Sequence, residues 1–145
     1  MNPFSRKYRY LGYTGLSIPD GWVDIVKETI KQIDNEVKPK WIPRFILNWV
    51  SDLARGGSVV MVRNRFFYKI FNKLTKGILI TDIKDKYAGI RIYGFFNNKI
   101  DEYIEWAEIL CDNTCETCGS HREVEVRGKH WYYNLCNGCH GKNKQ

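Results

Sequence analysis

The chain has 145 residues and a formal charge of +7, and 43% of its residues are hydrophobic and 14% aromatic. This composition excludes a largely disordered chain and indicates one domain with at most a small appendage. No apolar run reaches the roughly 20 residues of a membrane-spanning helix, and the first ten residues lack the apolar stretch of a signal peptide. The sequence therefore predicts a cytoplasmic protein.

Positive charge is concentrated in the middle of the chain. Between Lys38 and Lys99 there are thirteen Lys and Arg residues against three acids, a local charge of +10. From Ile100 to Cys118 there are six acidic residues and no basic one. A basic surface attracts phosphate backbones or acidic protein faces, and charge alone does not distinguish these two partners.

The first elements in chain order are an arm and a helix. Residues 1–19 mix tyrosines with basic residues and are interrupted by glycines and a proline, which predicts an irregular arm that packs partly on the body. Helical periodicity begins at Asp20 and continues to about Val37. Its apolar face comprises Trp22, Ile25, Val26, Thr29, Ile30, Ile33 and Val37, and its polar face comprises Asp24, Lys27, Glu28, Lys31 and Asp34.

A second helix is predicted from Pro43 to about Ala54, because proline favours the first turn of a helix and Gly56 follows its end. The apolar arc is so wide that the sequence predicts burial on more than one side. Its members are Phe45, Ile46, Trp49, Val50, Leu53 and Ala54.

Residues 58–76 begin ambiguously, since Val59–Val62 suits either a short strand or the start of a helix. From Arg65 onward the helical pattern is clear, with an apolar arc of Phe66, Phe67, Ile70, Phe71 and Leu74. A separate basic stripe has two interpretations: a solvated face, or a contact surface for nucleic acid or an acidic partner. The stripe consists of Arg65, Lys69, Lys73 and Lys76.

A β-hairpin is predicted next, because residues 78–86 and 90–96 alternate in polarity around a turn at 87–89. Ile78, Ile80, Ile90 and Ile92 should face the helices. Three cations lie on or beside the turn and could contact a phosphate or carboxylate, or could simply be solvated; they are Lys84, Lys86 and Arg91. Asp82 and Asp85 suit ion pairs with the lysines rather than acid–base chemistry.

The helix from about Asn98 to Asp112 has an acidic outer face and leads directly into a cysteine motif. Its apolar face is Ile100, Tyr103, Ile104, Ala107, Leu110 and Cys111. This proximity predicts that the C-terminal segment is docked on the body rather than tethered to it.

Two Cys-x-x-Cys knuckles, Cys115–Cys118 and Cys136–Cys139, are separated by seventeen residues. Four thiolates at this spacing suit one tetrahedral Zn²⁺, and the intervening residues suit a hairpin with a turn near Gly128, so the segment is predicted to be a zinc ribbon. Such a site is structural, because four thiolates leave no position for an activated water. The fifth cysteine, Cys111, is interpreted as a buried helix residue, with an alternative role as a ligand.

The strand between the knuckles is rich in aromatic residues. Trp131, Tyr132 and Tyr133 could stack on nucleobases, but in so small a ribbon they are predicted to form its core.

Three motifs in this order resemble those of a group of small, uncharacterised bacteriophage and prophage proteins. They are Gly21-Trp22 at the start of a helix, the segment Asp82-Ile-Lys-Asp-Lys-Tyr-Ala-Gly-Ile-Arg-Ile-Tyr93, and the two knuckles. The resemblance covers about two thirds of the chain and implies a phage accessory protein in a bacterial host's cytoplasm. It brings no established activity, and the segment from Pro39 to Lys76 is longer than in that group.

The closing segment, residues 134–144, is also similar to that of HNH endonucleases, which use two zinc knuckles. Those enzymes require a general-base histidine between the knuckles, usually after Asp or His. The candidate here is His130, which follows Lys129, and the seventeen-residue spacer is short for that fold.

The sequence therefore predicts an α+β fold: three or four helices around a β-hairpin, with a C-terminal zinc-ribbon hairpin. Residues 1–19 form the arm, 20–112 the body and 113–145 the docked ribbon. The predicted function is a non-enzymatic, zinc-containing binding module that engages a host protein or nucleic acid, with an HNH-like nuclease as the alternative. Neither a membrane nor a small-molecule cofactor is expected.

Overall fold

The fold combines helices with two small antiparallel hairpins, in a computed structural model that describes residues 2–15, 17–56 and 61–142. Four helices of ten or more residues accompany the central hairpin, so the α+β prediction is confirmed. Val59 and Val60, for which strand and helix stayed open, lie outside the described residues. The elements are α1 Pro3–Lys7, α2 Val23–Val37, α3 Arg44–Arg55, α4 Arg65–Leu74, β1 Leu79–Lys86, β2 Gly89–Phe95, α5 Asn98–Asp112, β3 Val124–Arg127, β4 Tyr133–Cys136 and α6 Asn137–Lys142.

The central hairpin, β1–β2, turns through only two residues. Lys86 pairs with Gly89, and both turn residues, Tyr87 and Ala88, have positive φ values of 54° and 59°. A bulge at Thr81 shifts the register, so that Ile80 and Ile83 both face inward. The four isoleucines at 78, 80, 90 and 92 are at most 6% exposed, as their alternation predicts.

Helices α2 and α5 pack on each other, and α5 also packs on β2. The buried residues of α5 are Ile100, Ile104, Ala107 and Cys111, and its bounds agree with the predicted ones. Its first turn is capped by Asn97, whose side chain accepts a hydrogen bond from the Ile100 N–H at 3.0 Å. None of the helices in the described ranges is long and apolar enough to cross a bilayer.

Asp34 is predicted on the outer face of α2, and this prediction is wrong, since the residue is 0% exposed. The Tyr10 O–H donates to Asp34 Oδ1 at 2.7 Å, and Arg44 donates to Oδ2 at 2.6 Å through Nη2 and at 2.9 Å through Nε. A buried carboxylate needs such partners, because removing it from water without them is costly. Asp34 therefore joins the N-terminal segment to α3.

The N-terminal segment is more regular than the predicted irregular arm. It contains α1 and a 3₁₀ turn at Arg9–Leu11, and Tyr10 and Leu11 are wholly buried. The Tyr13 N–H donates to the Ile80 carbonyl at 2.9 Å, which ties the segment to β1. Part of the core is thus supplied by residues before α2.

The broad burial predicted for α3 is also wrong. Its inward face binds the N-terminal backbone through polar groups: Asn48 Oδ1 accepts from the Tyr10 N–H at 2.9 Å, and Arg55 Nη2 donates to the Tyr10 carbonyl at 3.0 Å. Backbone polar groups that are buried require such partners. The opposite, apolar face stays open, with Phe45 71% and Trp49 59% exposed.

Helix α4 packs on α3, and its apolar arc is only partly covered. Phe71 is 2% exposed, whereas Phe66 is 67% exposed. Asn64 caps the N-terminus of the helix, because its side chain accepts hydrogen bonds from the Phe66 and Phe67 N–H groups. The exposed Phe66 and Ile70 lie next to the basic stripe on the helical wheel.

Candidate metal centre and basic surface

The four knuckle cysteines form one cluster, in which all four Sγ atoms lie within 4.8 Å of one another. Cys118 Sγ and Cys136 Sγ are 3.7 Å apart. A disulfide requires about 2.05 Å, so this pair is not bonded. A tetrahedron with Zn–S distances of about 2.3 Å has edges of about 3.8 Å. The donor set and its spacing therefore fit a tetrahedral thiolate-bound metal such as Zn²⁺.

The ribbon gives two of these thiols opposite acidities. Burial raises the pKa of Cys115, but hydrogen bonds from the backbone of Cys136, Cys118 and Thr117 outweigh it and lower the pKa to about 6. Contacts with the Cys118 and Cys136 side chains raise the pKa of Cys139 to about 12. The backbone donors around Cys115 thus favour the thiolate form, and thiols packed this closely oppose the simultaneous ionisation of all four when no cation is bound. A divalent cation removes that opposition.

The hairpin that carries the knuckles has strands of only four residues each. Strands β3 and β4 pair from Val124↔Cys136 to Arg127↔Tyr133, and residues 129–132 form an irregular loop. Gly128, in the predicted turn, has a φ of 130°. Helix α6, which follows β4 and carries Cys139, has no counterpart among the predicted elements, since six residues are too few for a periodic signal.

The first knuckle rests on Gly21 and Trp22. The Gly21 N–H donates to the Glu116 carbonyl at 2.8 Å, and Trp22 Nε1 donates to the Thr114 carbonyl at 2.9 Å. A Cβ at residue 21 would lie 2.1 Å from the Cys115 carbonyl oxygen, so only glycine allows this approach. The Gly-Trp pair is therefore where α2 meets the ribbon.

Asn134 provides the second attachment of the ribbon. It is 2% exposed, and its Nδ2 donates to the Ala88 carbonyl at 2.8 Å and to the Asp112 carbonyl at 3.0 Å. Its backbone N–H donates to Glu116 Oε2 at 3.1 Å. Asn134 is absent from the predicted functional residues. The sequence feature that could have identified it is the position of a polar residue in a strand, directly before the apolar Leu135.

The ligand group does not include the remaining cysteine, Cys111. Cys111 is wholly buried, and burial raises its pKa to about 12, as a helix residue in an apolar environment should show. In the described part of the chain, neither His130 nor His140 belongs to the metal-ligand group.

The basic stripe is exposed along its whole length on α4 and just beyond it, at Arg65, Lys69, Lys73 and Lys76. Among the described residues, no carboxylate lies within salt-bridge distance of these four cations. Lys76 Nζ donates to the Glu36 backbone carbonyl at 3.0 Å instead.

The hairpin cations differ from the stripe in their partners. Lys84 forms a salt bridge with Asp82, as expected for that carboxylate. Arg91 Nη1 lies 3.7 Å from Glu108 Oε2. Lys86 Nζ lies 5.5 Å from the centre of the Tyr87 ring. Two of the three hairpin cations are therefore partly neutralised by acids within the chain.

The aromatic residues of the ribbon do not form its core, and that prediction is wrong. Trp131 is 77% exposed and Tyr132 51%. The core of the ribbon consists instead of Cys115, Leu135 and Cys136, with Val124 and Cys139 packed against them. Three of the clustered cysteines thus supply the buried volume that a larger hairpin would draw from aromatic side chains.

Comparisons with protein-family models, with curated proteins and with solved structures give no match to this chain.

Proposed function

We propose that this chain is a non-enzymatic, zinc-containing binding module, a phage accessory protein that engages a host protein or nucleic acid. Zinc is the metal we assign to the four-cysteine cluster, because its preferred ligands and geometry match the donors. Four thiolates close the coordination sphere, so the metal holds the ribbon together and carries no reaction.

The basic stripe on α4 is the observation that carries this proposal. Arg65, Lys69 and Lys73 follow one face of the helix, and among the described residues no carboxylate lies within salt-bridge distance of them. Lys76 extends the stripe just beyond the helix and lies near Glu36. Like charges at this spacing repel one another and destabilise the helix. An acidic target surface would relieve that repulsion, which favours a contact surface over a purely solvated face.

Apolar side chains beside the stripe support a macromolecular target. Phe66 and Ile70 are exposed on the same helix, and Phe45 and Trp49 are exposed on α3, against which α4 packs. Exposed aromatic residues next to cations are enriched where proteins meet other macromolecules. The proposed surface therefore combines charge attraction with apolar contact.

Fluorescence anisotropy with a labelled 30-base-pair DNA, titrated over a series of salt concentrations, tests the nucleic-acid form of this proposal. Each phosphate contact contributes about −0.9 to the slope of log K against log salt. The double variant Lys69→Glu/Lys73→Glu should weaken binding and reduce that slope by about 2. The control Lys7→Glu/Lys31→Glu makes the same charge change elsewhere and should keep the wild-type slope.

A flat salt response would exclude nucleic acid and leave a protein target. A pull-down from bacterial lysate, with and without nuclease treatment, then identifies partners that require the stripe. If the stripe variant retains every captured partner and every affinity, the proposed surface is wrong.

A further inference from the structure

We infer that the cleft between the β1–β2 turn and the ribbon loop is a binding site for an unpaired nucleobase of a single strand. This inference rests on the proposed function and names a second contact for the same target. The cleft has a volume of about 360 Å³, at the lower end of the range for small-ligand sites. It lies where the 82–93 segment meets the residues between the two knuckles.

Aromatic rings dominate the cleft from both sides. The turn contributes Tyr87, which is 80% exposed, and the ribbon contributes Trp131, Tyr132 and Tyr133 at 77%, 51% and 44%. None of these rings belongs to the ribbon core. Exposed rings of this kind offer stacking surfaces to nucleobases, with little dependence on sequence.

The conformation of Tyr87 is a second, independent observation. Its φ of 54° lies in the left-handed region, where two-residue hairpins usually place Asn, Asp or Gly. A bulky residue is strained there, and an exposed side chain gains little packing in return. The turn therefore presents the ring outward at a cost to the fold, which is expected of a residue that contacts a ligand.

The two walls of the cleft are held in fixed positions. Asn134 Nδ2 donates to the carbonyl of the turn residue Ala88 at 2.8 Å, and the strand that carries Asn134 continues from the aromatic loop. Both residues are buried. The cleft is thus formed before a ligand arrives, which lowers the entropic cost of binding.

The polar groups of the cleft suit a nucleotide. Lys86 supplies a cation for a flanking phosphate, and Asp85 supplies an acceptor for an exocyclic amino group. A base in a duplex is covered on both faces by its neighbours, so only an unpaired base can enter.

Anisotropy measurements with the zinc-loaded full chain test this inference, using a labelled 12-nucleotide single strand and the matching duplex. Trp131→Ala should weaken single-strand binding by about 5- to 150-fold, the range expected for loss of one stacked base. Its effect on duplex binding should be less than about twofold. Trp41→Ala removes a tryptophan that is 78% exposed outside the cleft, and should leave both affinities unchanged.

Tryptophan fluorescence separates stacking from a structural role. Trp131→Phe keeps an aromatic face, so it should retain most of the single-strand affinity while losing the part of the fluorescence quenching that arises from Trp131. Equal zinc content and circular dichroism in all variants would show that the fold is preserved.

Wild-type single-strand affinity in Trp131→Ala would overturn the inference, as would tighter binding of a proline-rich peptide than of the single strand at this cleft. If Lys69→Glu/Lys73→Glu weakens binding to both nucleic acids while Trp131→Ala weakens neither, the stripe stands and the cleft fails. If only Trp131→Ala lowers the binding affinity, the result supports the cleft and contradicts the proposed role of the stripe.

Discussion

Substitution of Gly21 by alanine tests how the ribbon is attached to the body. The added Cβ would lie 2.1 Å from the Cys115 carbonyl oxygen, and contacts under 3.0 Å are essentially never seen, so the two segments must separate by about 0.9 Å. The neighbouring atoms are also backbone, at Glu116 and Gly119, and cannot rotate away. The Cys115–Cys118 knuckle must therefore move as a unit.

The expected cost follows from the contacts that this movement disturbs. Two hydrogen bonds, from the Gly21 N–H to Glu116 and from the Trp22 indole to Thr114, lengthen or break. Each contributes about 0.5–1.5 kcal/mol, and overpacking adds about 1–3 kcal/mol. We therefore expect Gly21→Ala to lower the free energy of unfolding by about 2–6 kcal/mol.

Urea denaturation of the zinc-loaded protein, followed by circular dichroism at 25 °C, measures this change. Gly141→Ala is the matched control, because no heavy atom lies within 4 Å of its added Cβ and the residue is helical. That variant should be neutral or up to about 1 kcal/mol more stable. A Gly21→Ala protein within about 0.5 kcal/mol of wild type would refute the close contact between α2 and the ribbon.

Four further outcomes are expected. Asn134→Ala should lower the free energy of urea unfolding by about 2–4 kcal/mol, because it leaves buried carbonyls without donors. The control Asn113→Ala changes an exposed residue and should cost under about 1 kcal/mol. Equal losses in the two variants would contradict the role of Asn134. Asp34→Asn should destabilise the protein by about 2–4 kcal/mol in thermal denaturation, since it leaves Arg44 without its charged partner, and a neutral result would contradict the pairing. Mass spectrometry after iodoacetamide treatment at pH 8 should find Cys111 unmodified until urea unfolds the chain, because its raised pKa keeps the thiol protonated. Metal-loaded protein supplied with Mg²⁺ should leave plasmid DNA intact, and cleavage would instead support the nuclease alternative.

Periodicity and spacing predict the parts of the fold that depend on each segment alone. Helix α5 has the predicted bounds, because its apolar residues recur on one face and Asn97 caps it. The cysteine cluster follows from the spacing of two knuckles, which needs no knowledge of the body. Both signals are local in sequence, and the structure contains both the helix and the cysteine cluster.

The facing of α3 could not be predicted in the same way. Its inward side binds the backbone of the N-terminal segment, so polar residues such as Asn48 and Arg55 are buried while Trp49 stays exposed. A pattern of apolar residues indicates which side chains a helix can bury. It does not reveal that a neighbouring segment has buried backbone groups that require hydrogen bonds from the helix. The burial of Asp34 could not be predicted for the same reason.

The sequence does not predict the cleft between the β1–β2 turn and the ribbon loop, for two further reasons. A two-residue turn at Tyr87–Ala88 contains neither of the residues that normally mark it, Gly and Asn. The ribbon aromatics resemble core residues until the small size of the β3–β4 sheet shows that the cysteines fill the interior. Both features depend on contacts between segments far apart in the chain.

The hydrogen bond from Trp22 to Thr114 joins residues 92 positions apart, and this separation affects the order of events during synthesis. The indole and the glycine before it have no partner until the ribbon has left the ribosome, and the ribbon is incomplete until Cys139 has been added. A chain released before that point would expose Trp22 and the face of the body that the ribbon covers. Chaperones and proteases recognise such exposed apolar surfaces. The contact between the start of α2 and the ribbon therefore forms only after both Cys-x-x-Cys knuckles have been synthesised, which makes attachment of the ribbon a late step in folding.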